Sequence, residues 1–196
     1  IAAALLGPKQ GMPFSRSMSQ SPITRGSSGI TAAKSISLFS TKSTIFSKSV
    51  VQDFAVHDIN NMGAAMMPAA ASTLLRYFSA TGTSPQDFDA IFTGDLGEVG
   101  TALLHEQMAK EGLPLDNHKD CGCLLYDTNS QNVQAGGSGA GCSAAVLCGK
   151  ILPMLAAGQL RRVLFLATGA LMSQTTFLQG ESIPGIAHCV ELGGAV

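Results

Sequence analysis

The sequence predicts an α/β layered fold, because short strands alternate with longer helices along most of the chain. Of the 196 residues, 45% are hydrophobic and only 13% are charged, so the chain can bury a core. Short apolar runs bounded by glycine or proline alternate with longer stretches rich in Ala, Leu and Met. This alternation is typical of a sheet that is hydrophobic on both faces and covered by helices.

The composition excludes several classes of protein. A net charge of −1, no tryptophan and 6% aromatic residues argue against a nucleic-acid binder, which needs basic patches and stacking surfaces. No apolar run reaches the roughly 18 residues of a membrane-spanning helix. The five cysteines favour free thiols in a reducing compartment, and their spacing predicts no metal site.

The charges divide the chain into two parts. Residues 1–50 hold six basic residues and no acidic one, whereas residues 51–196 hold the other six basic residues and all 13 acidic ones. The first part is rich in serine and shows no sustained hydrophobic period. We expect residues 1–47 to be a basic extension, or the remnant of a deleted N-terminal half, and residues 48–196 to be the folded domain.

The first elements of the domain follow from its apolar periods. Residues 49–56 alternate as a strand does. Residues 62–78 are rich in Ala, Met and Leu and predict a helix, although Pro68 is unfavourable inside one, and Gly82 ends it. Residues 89–93 predict a short buried strand.

Residues 98–111 predict a second helix, which Gly112 closes. Residues 124–126 and 133–135 predict two short strands that form a hairpin around the intervening turn.

The remaining elements are a third helix, a strand, a loop and a last strand. The helix covers residues 142–157, where Pro153 is expected to cause a kink. Residues 162–167 predict a buried strand, residues 170–182 a polar loop and residues 183–192 the last strand. The predicted order is therefore β-α-β-α-β-β-α-β-β.

Three loops at strand ends are candidates for a binding site. They cover residues 93–97, 136–142 and 167–173, and loops that follow strands in an α/β fold converge on one ligand crevice. The glycine-rich second loop precedes a helix, so its N–H groups could face an anion. It lacks the Lys-Ser/Thr pair of a phosphate-binding P-loop.

Three side chains near these loops have alternative interpretations. His188 is either a titratable ligand group or a hydrogen-bonded core histidine. Asp95 is either a site residue or the N-cap of the second helix. Cys142 lies at a predicted helix N-terminus, which would lower the pKa of its thiol, but it could equally be a small packing residue.

Six segments of the chain match one known family in the same order. They are residues 61–71, 92–100, 120–126, 135–144, 161–173 and 181–190. On these segments the chain resembles the C-terminal half of the stage V sporulation protein AD family, which consists of thiolase-fold proteins from spore-forming bacteria. Residues 12–47 resemble no segment of the family.

The resemblance implies a fold of two similar halves packed in five layers. This chain would supply one βαβαββ-type half, with helices on a mixed five-stranded sheet, and would be internally deleted or incomplete. The family implies binding of dipicolinic acid for uptake into the spore, without a cofactor. The implied protein is cytoplasmic or peripheral on the spore inner membrane and contacts integral membrane proteins of the same transport complex. A homodimer, in which each copy replaces the missing half of the other, is an open alternative.

The resemblance also implies that the chain is not an enzyme. Thiolase-fold enzymes place His or Asn where this chain has Ser138 or Gly139, and again where it has Asp95. A hydroxyl is no general base at neutral pH without an activator, and a carboxylate would repel a developing oxyanion. The alternatives are an acyltransferase that uses Cys142, or a nonfunctional half-domain.

The residues expected to bind dipicolinate, either free or as its calcium chelate, lie at the three loops and on the last strand. They are His188, Ser138, Asp95, Thr168, Gly169, Ser173 and Cys142.

Overall fold

The computed structural model describes residues 42–46, 49, 51–127 and 129–193. Within these ranges one mixed sheet has the strand order β1-β5-β4-β2-β3. Strand β2 is parallel to β3 and β4, and β5 is antiparallel to β4 and β1. The strands are β1 (Lys42–Phe46), β2 (Ala90–Thr93), β3 (His118–Asp120), β4 (Arg162–Ala170) and β5 (Gly185–Gly193).

The α/β class is confirmed, but the prediction that residues 48–196 supply five strands is wrong. The described part of residues 48–196 contributes four strands, and β1 comes from residues upstream. The described residues of the strand predicted at 49–56 form one bridge, between Gln52 and Gly185. Ala55 has a φ of 54°, which ends extended structure there, and Phe54 is exposed.

The hairpin predicted around residue 129 is also wrong. Residues Cys121–Leu125 form helix α3, whose first N–H groups are capped by the side chain of Asp120. Gln134 has a φ of 50°, which is incompatible with the second predicted strand. Strand β3 was missed because its His-Lys-Asp sequence has no apolar alternation.

Two long helices cover one face of the sheet and confirm the predicted positions. Helix α1 (Met62–Thr81) is capped by Asn61 and ends at Gly82, whose φ is 65°. It continues through Pro68, which lies on its buried face. Helix α2 (Gly97–Lys110) packs against α1.

The two helices lie close together at Gly63 and Gly100. A Cβ on Gly63 would lie 2.3 Å from the carbonyl oxygen of Leu96 and 3.1 Å from the Cα of Gly100. Any side chain at Gly63 would therefore push the start of α2 away from α1.

The opposite face of the sheet carries the shorter helices. Helix α4 (Cys142–Val146) continues through a π-helical turn at Leu147–Ile151 into α5 (Leu152–Ala156). The predicted third helix is thus present, and its irregular turn ends two residues before Pro153, which lacks an N–H. These helices and α3 pack on side chains such as Val163 and Phe165.

The described residues therefore form three layers: α1 and α2, the sheet, and α3 to α5. The five-layer arrangement that the resemblance implied stays a prediction. Between β4 and β5, the segment predicted as a loop contains a short helix, α6 (Gln174–Leu178). In the described part of the chain, every helix is too short or too polar to span a bilayer.

Candidate functional site

A cavity of about 430 Å³ opens where β2 and β4 end, which is the edge predicted for the ligand crevice. Small-molecule pockets typically measure about 300–1,000 Å³, so this cavity has the size of a ligand site. It is lined by Met62 and Met66 of α1, Asp95, Ser138, Gly139, Ala140, Ser143, Thr168, Gly169 and Ala170.

Asp95 lies at the meeting point of the three predicted loops. Its Oδ1 accepts a hydrogen bond from the Thr168 hydroxyl at 3.1 Å. Its Oδ2 accepts from the backbone N–H of Gly139 at 3.1 Å and from the Ser138 hydroxyl at 3.4 Å. The N-cap position of α2 is Leu96, so the alternative interpretation of Asp95 as the cap of that helix is wrong.

Four of the seven predicted site residues line this cavity together: Asp95, Ser138, Thr168 and Gly169. Ser173 does not line it, because its hydroxyl caps α6 and accepts from the Thr176 N–H at 3.2 Å.

His188 also lies outside the cavity lining. It pairs with Ala167 across the β4–β5 ladder, and successive strand residues alternate faces, so His188 and Thr168 are on opposite faces. Its Nδ1 is 2.6 Å from the Ser49 hydroxyl, and its side chain is exposed. The alternative interpretation of His188 as a core histidine is therefore wrong.

Cys142 lies behind the cavity and not on its surface. The residue is 4% exposed, and its Sγ is 3.9 Å from the carbonyl oxygen of Gly94. Burial, and then the nearby carboxylates of Asp95 and Asp120, raise the pKa of the thiol to about 11. The predicted lowering of this pKa is wrong, because these effects outweigh the N-terminus of a five-residue helix.

Sequence reasoning missed Asp120, a buried carboxylate beneath the cavity that is 2% exposed. It accepts five hydrogen bonds from described residues. Its Oδ2 accepts from the Thr93 hydroxyl and the Leu96 N–H, and its Oδ1 accepts from the N–H groups of Gly97, Gly122 and Cys123. Burial raises the pKa of Asp120, while these donors favour the charged form. Its place one residue before a short helix was the available signal, since Asp is a common N-cap.

Two histidines extend this network to the surface. The Nε2 of His118 is 2.9 Å from the Thr93 hydroxyl, and its Nδ1 is 3.0 Å from the Nε2 of His105. Burial, followed by the charge of His105, lowers the pKa of His118 to about 3. His118 is therefore neutral in the folded protein at physiological pH.

Comparison with known proteins identifies the family. The family model described as stage V sporulation protein AD matches residues 15–193. The chain is 44% identical over 149 residues to the stage V sporulation protein AD of Bacillus subtilis (strain 168), an alignment that covers 74% of this chain and 44% of the relative. The chain thus spans less than half of that curated relative.

The family model matches the chain from residue 15, whereas the segments that carry the resemblance begin at residue 61. Residues 12–47 were expected to match nothing in the family, and from residue 15 onward this expectation is wrong. The division of the chain at residue 47 stays a prediction. With most of its length matched, the chain belongs to the stage V sporulation protein AD family.

Proposed function

We propose that the chain binds dipicolinic acid as its calcium chelate in the cavity around Asp95. Membership of a sporulation family supports the biological setting. The observation that carries the proposal is the placement of one carboxylate and two hydroxyls, from Asp95, Ser138 and Thr168, at the wall of a cavity of ligand size.

The negative charge of Asp95 in the cavity favours the calcium chelate over free dipicolinate. Dipicolinate is a flat dianion, and Asp95 would repel it. No lysine or arginine stands among the described residues that line the cavity. A calcium ion in the chelate reverses this interaction, because Ca²⁺ takes about six to eight oxygen ligands and the chelate leaves some of these positions open.

The rest of the lining suits the body of such a ligand. Met62 and Met66 present flexible thioether side chains, which pack well against an aromatic ring such as the pyridine. Asp95 and the hydroxyls of Ser138 and Thr168 would bind the calcium ion on the polar side. Ligand and metal are thus both cargo in this proposal.

We also propose that the site binds without catalysing acyl transfer. Cys142, the candidate nucleophile of the alternative, is buried and has a pKa of about 11, so little thiolate forms at neutral pH. Asp95 lines the cavity where the related enzymes have His or Asn. We further propose a peripheral role beside integral membrane proteins of the spore uptake complex.

The test is calorimetric titration of the folded chain with calcium dipicolinate, sodium dipicolinate and calcium chloride in separate runs. We expect saturable one-to-one binding of the chelate and much weaker binding of either component. Asp95→Asn should weaken chelate binding about 10- to 100-fold, because a hydrogen bond or contact to a charged group contributes about 1.5–3 kcal/mol.

Asp89→Asn is the matched control. Asp89 precedes β2, at the end opposite the cavity, and likewise accepts backbone N–H groups, those of Arg161 and Arg162. This control should keep the affinity of the unmodified chain. Equal affinity for sodium dipicolinate, or an unchanged affinity in Asp95→Asn, would refute the calcium-dependent site. No heat from a folded sample would favour the nonfunctional half-domain.

A further inference from the structure

A continuous chain of hydrogen bonds runs from the protein surface to a buried carboxylate that is bonded to the loops of the candidate cavity. It starts at His105 on α2, passes through His118 and Thr93, and ends at the carboxylate of Asp120. The last three side chains are buried. None of the four lines the cavity itself, so the proposed binding chemistry does not account for this arrangement.

The donors and acceptors along the chain can be assigned from Asp120 outward. A carboxylate only accepts, so the single hydroxyl hydrogen of Thr93 points to the Oδ2 of Asp120, 2.6 Å away. Thr93 must then accept from the Nε2–H of His118. A neutral His118 with its hydrogen on Nε2 has a free lone pair on Nδ1, which accepts from the Nε2–H of His105.

The same carboxylate holds the two loops that form the cavity wall. It accepts the N–H groups of Leu96 and Gly97, which directly follow Asp95. It also accepts the N–H of Gly122, whose carbonyl oxygen in turn accepts the N–H of Gly137 at 2.8 Å. Asp120 therefore links the loop of Asp95 to the loop of Ser138.

The glycine-rich loop and the start of α3 are in close contact. A Cβ on Gly122 would lie 2.5 Å from the carbonyl oxygen of Gly137, so the glycine-rich loop rests directly on the start of α3. A shift of α3 relative to Asp120 would therefore move Ser138 and the Gly139 N–H, which both contact Asp95.

We infer that Asp120 is the positioning residue of the cavity, because its carboxylate sets the separation of Asp95 and Ser138. Thr93, His118 and His105 form an ordered chain of hydrogen bonds, and the direction of donation along this chain depends on that carboxylate. The consequence for ligand affinity rests on the proposed function. The consequence for the two histidines does not.

The first measurement is the tautomer of His118 by long-range ¹H–¹⁵N correlation NMR on the full chain. We expect the Nε2–H form. An Nδ1–H form would reverse every donor in the chain and would overturn the inference without any variant.

The second measurement uses Asp120→Asn. The amide carbonyl should take the Oδ1 position, which faces three N–H groups. The NH₂ group should take the Oδ2 position, where it can no longer accept the N–H of Leu96. Thr93 would then accept from the new amide and donate to the Nε2 of His118. We expect His118 to change to the Nδ1–H form and the amide resonance of Gly139 to shift. Affinity for calcium dipicolinate should fall about 10- to 100-fold, as is typical when a group that orients metal-binding side chains is lost.

Asp89→Asn again serves as the matched control and should change neither the tautomer nor the Gly139 resonance. A second variant, Thr93→Val, interrupts the chain but keeps the backbone contacts of Asp120. We expect it to remove the tautomer preference of His118 and to leave affinity within about threefold, because Asp120 still holds both loops.

The possible failures are distinguishable. If the unmodified chain binds no chelate, the proposed ligand is wrong, and the NMR results still decide the positioning role. An unchanged His118 tautomer and an unchanged Gly139 resonance in a folded Asp120→Asn protein would refute the role of Asp120. A large loss of affinity in Thr93→Val would refute the assignment of positioning to Asp120 alone.

Discussion

Replacing His118 with glutamine should make the stability of the fold less sensitive to pH. His118 is 9% exposed, and its pKa falls from 6.5 to about 3, chiefly because burial disfavours the charged ring and also because of the charge of His105. The folded protein therefore holds this side chain neutral over a range in which the unfolded chain takes up a proton.

The sign and size of the effect follow from proton linkage. Above the unfolded pKa of 6.5 neither state binds the proton, so the stability is complete. As the pH falls toward the folded pKa of about 3, protonation of the unfolded state lowers the free energy of unfolding. Each pH unit corresponds to about 1.4 kcal/mol, so the loss between about pH 6.5 and 5 is about 2 kcal/mol.

The assay is urea denaturation followed by far-ultraviolet circular dichroism at several pH values, since the chain has no tryptophan. We expect the free energy of unfolding of His118→Gln to vary less steeply with pH, by about 1.4 kcal/mol per unit over this range. His57→Gln is the control, because His57 is exposed and contacts a backbone carbonyl. It should keep the steep dependence of the unmodified protein.

The comparison of slopes separates His118 from the carboxylates. Hydrogen bonds lower the pKa of Asp53, Asp87 and Asp127. Protonation of these carboxylates therefore destabilises the fold only at more acidic pH. The effect is the same in the unmodified protein, His118→Gln and His57→Gln. Equal slopes for the unmodified protein and His118→Gln would show that His118 is solvated or charged in the folded state, and would refute its placement in the buried chain.

Two further predictions concern the packing beside the cavity. Iodoacetamide at neutral pH should modify exposed Cys148 at least about tenfold faster than Cys142, because burial raises the pKa of Cys142 and blocks access to its thiol. Peptide mass spectrometry would measure both rates, and equal rates would contradict the burial of Cys142. Gly63→Ala should lower the free energy of unfolding in urea by about 1–3 kcal/mol, since the new Cβ would overlap the Leu96 carbonyl. Gly149→Ala, which meets nothing within 4 Å, should cause no such loss, and a neutral Gly63→Ala would rule out the close contact.

The elements with strong local signals were predicted well. The apolar period of α1, which Gly82 ends, needs little tertiary information, because left-handed glycines act within a few residues. The placement of Asp95, Thr168 and the glycine-rich loop at one edge followed from the general geometry of α/β folds.

The errors fall where local signals are weak or point the wrong way. Strand β3 has three residues with no apolar alternation, and its pairing with β2 decides its conformation. The apolar residues 124–126 suggested a strand, but the side chain of Asp120 caps a helix there. Cys142 was assigned a low pKa from its helix position, whereas the pKa depends on burial and on two carboxylates distant in sequence.

The sequence by itself determined the α/β class, the long helices and the three loops that meet at the cavity, because these depend on hydrophobic period and on short-range backbone preferences. Tertiary structure alone decided which polar side chains meet. It buries Asp120 and His118, leaves His188 on the other face of the sheet, and joins Asp95 to Thr168 across 73 residues. Hydrogen-bond partners and pKa values depend on distances between segments remote in the chain, and no local pattern encodes those distances.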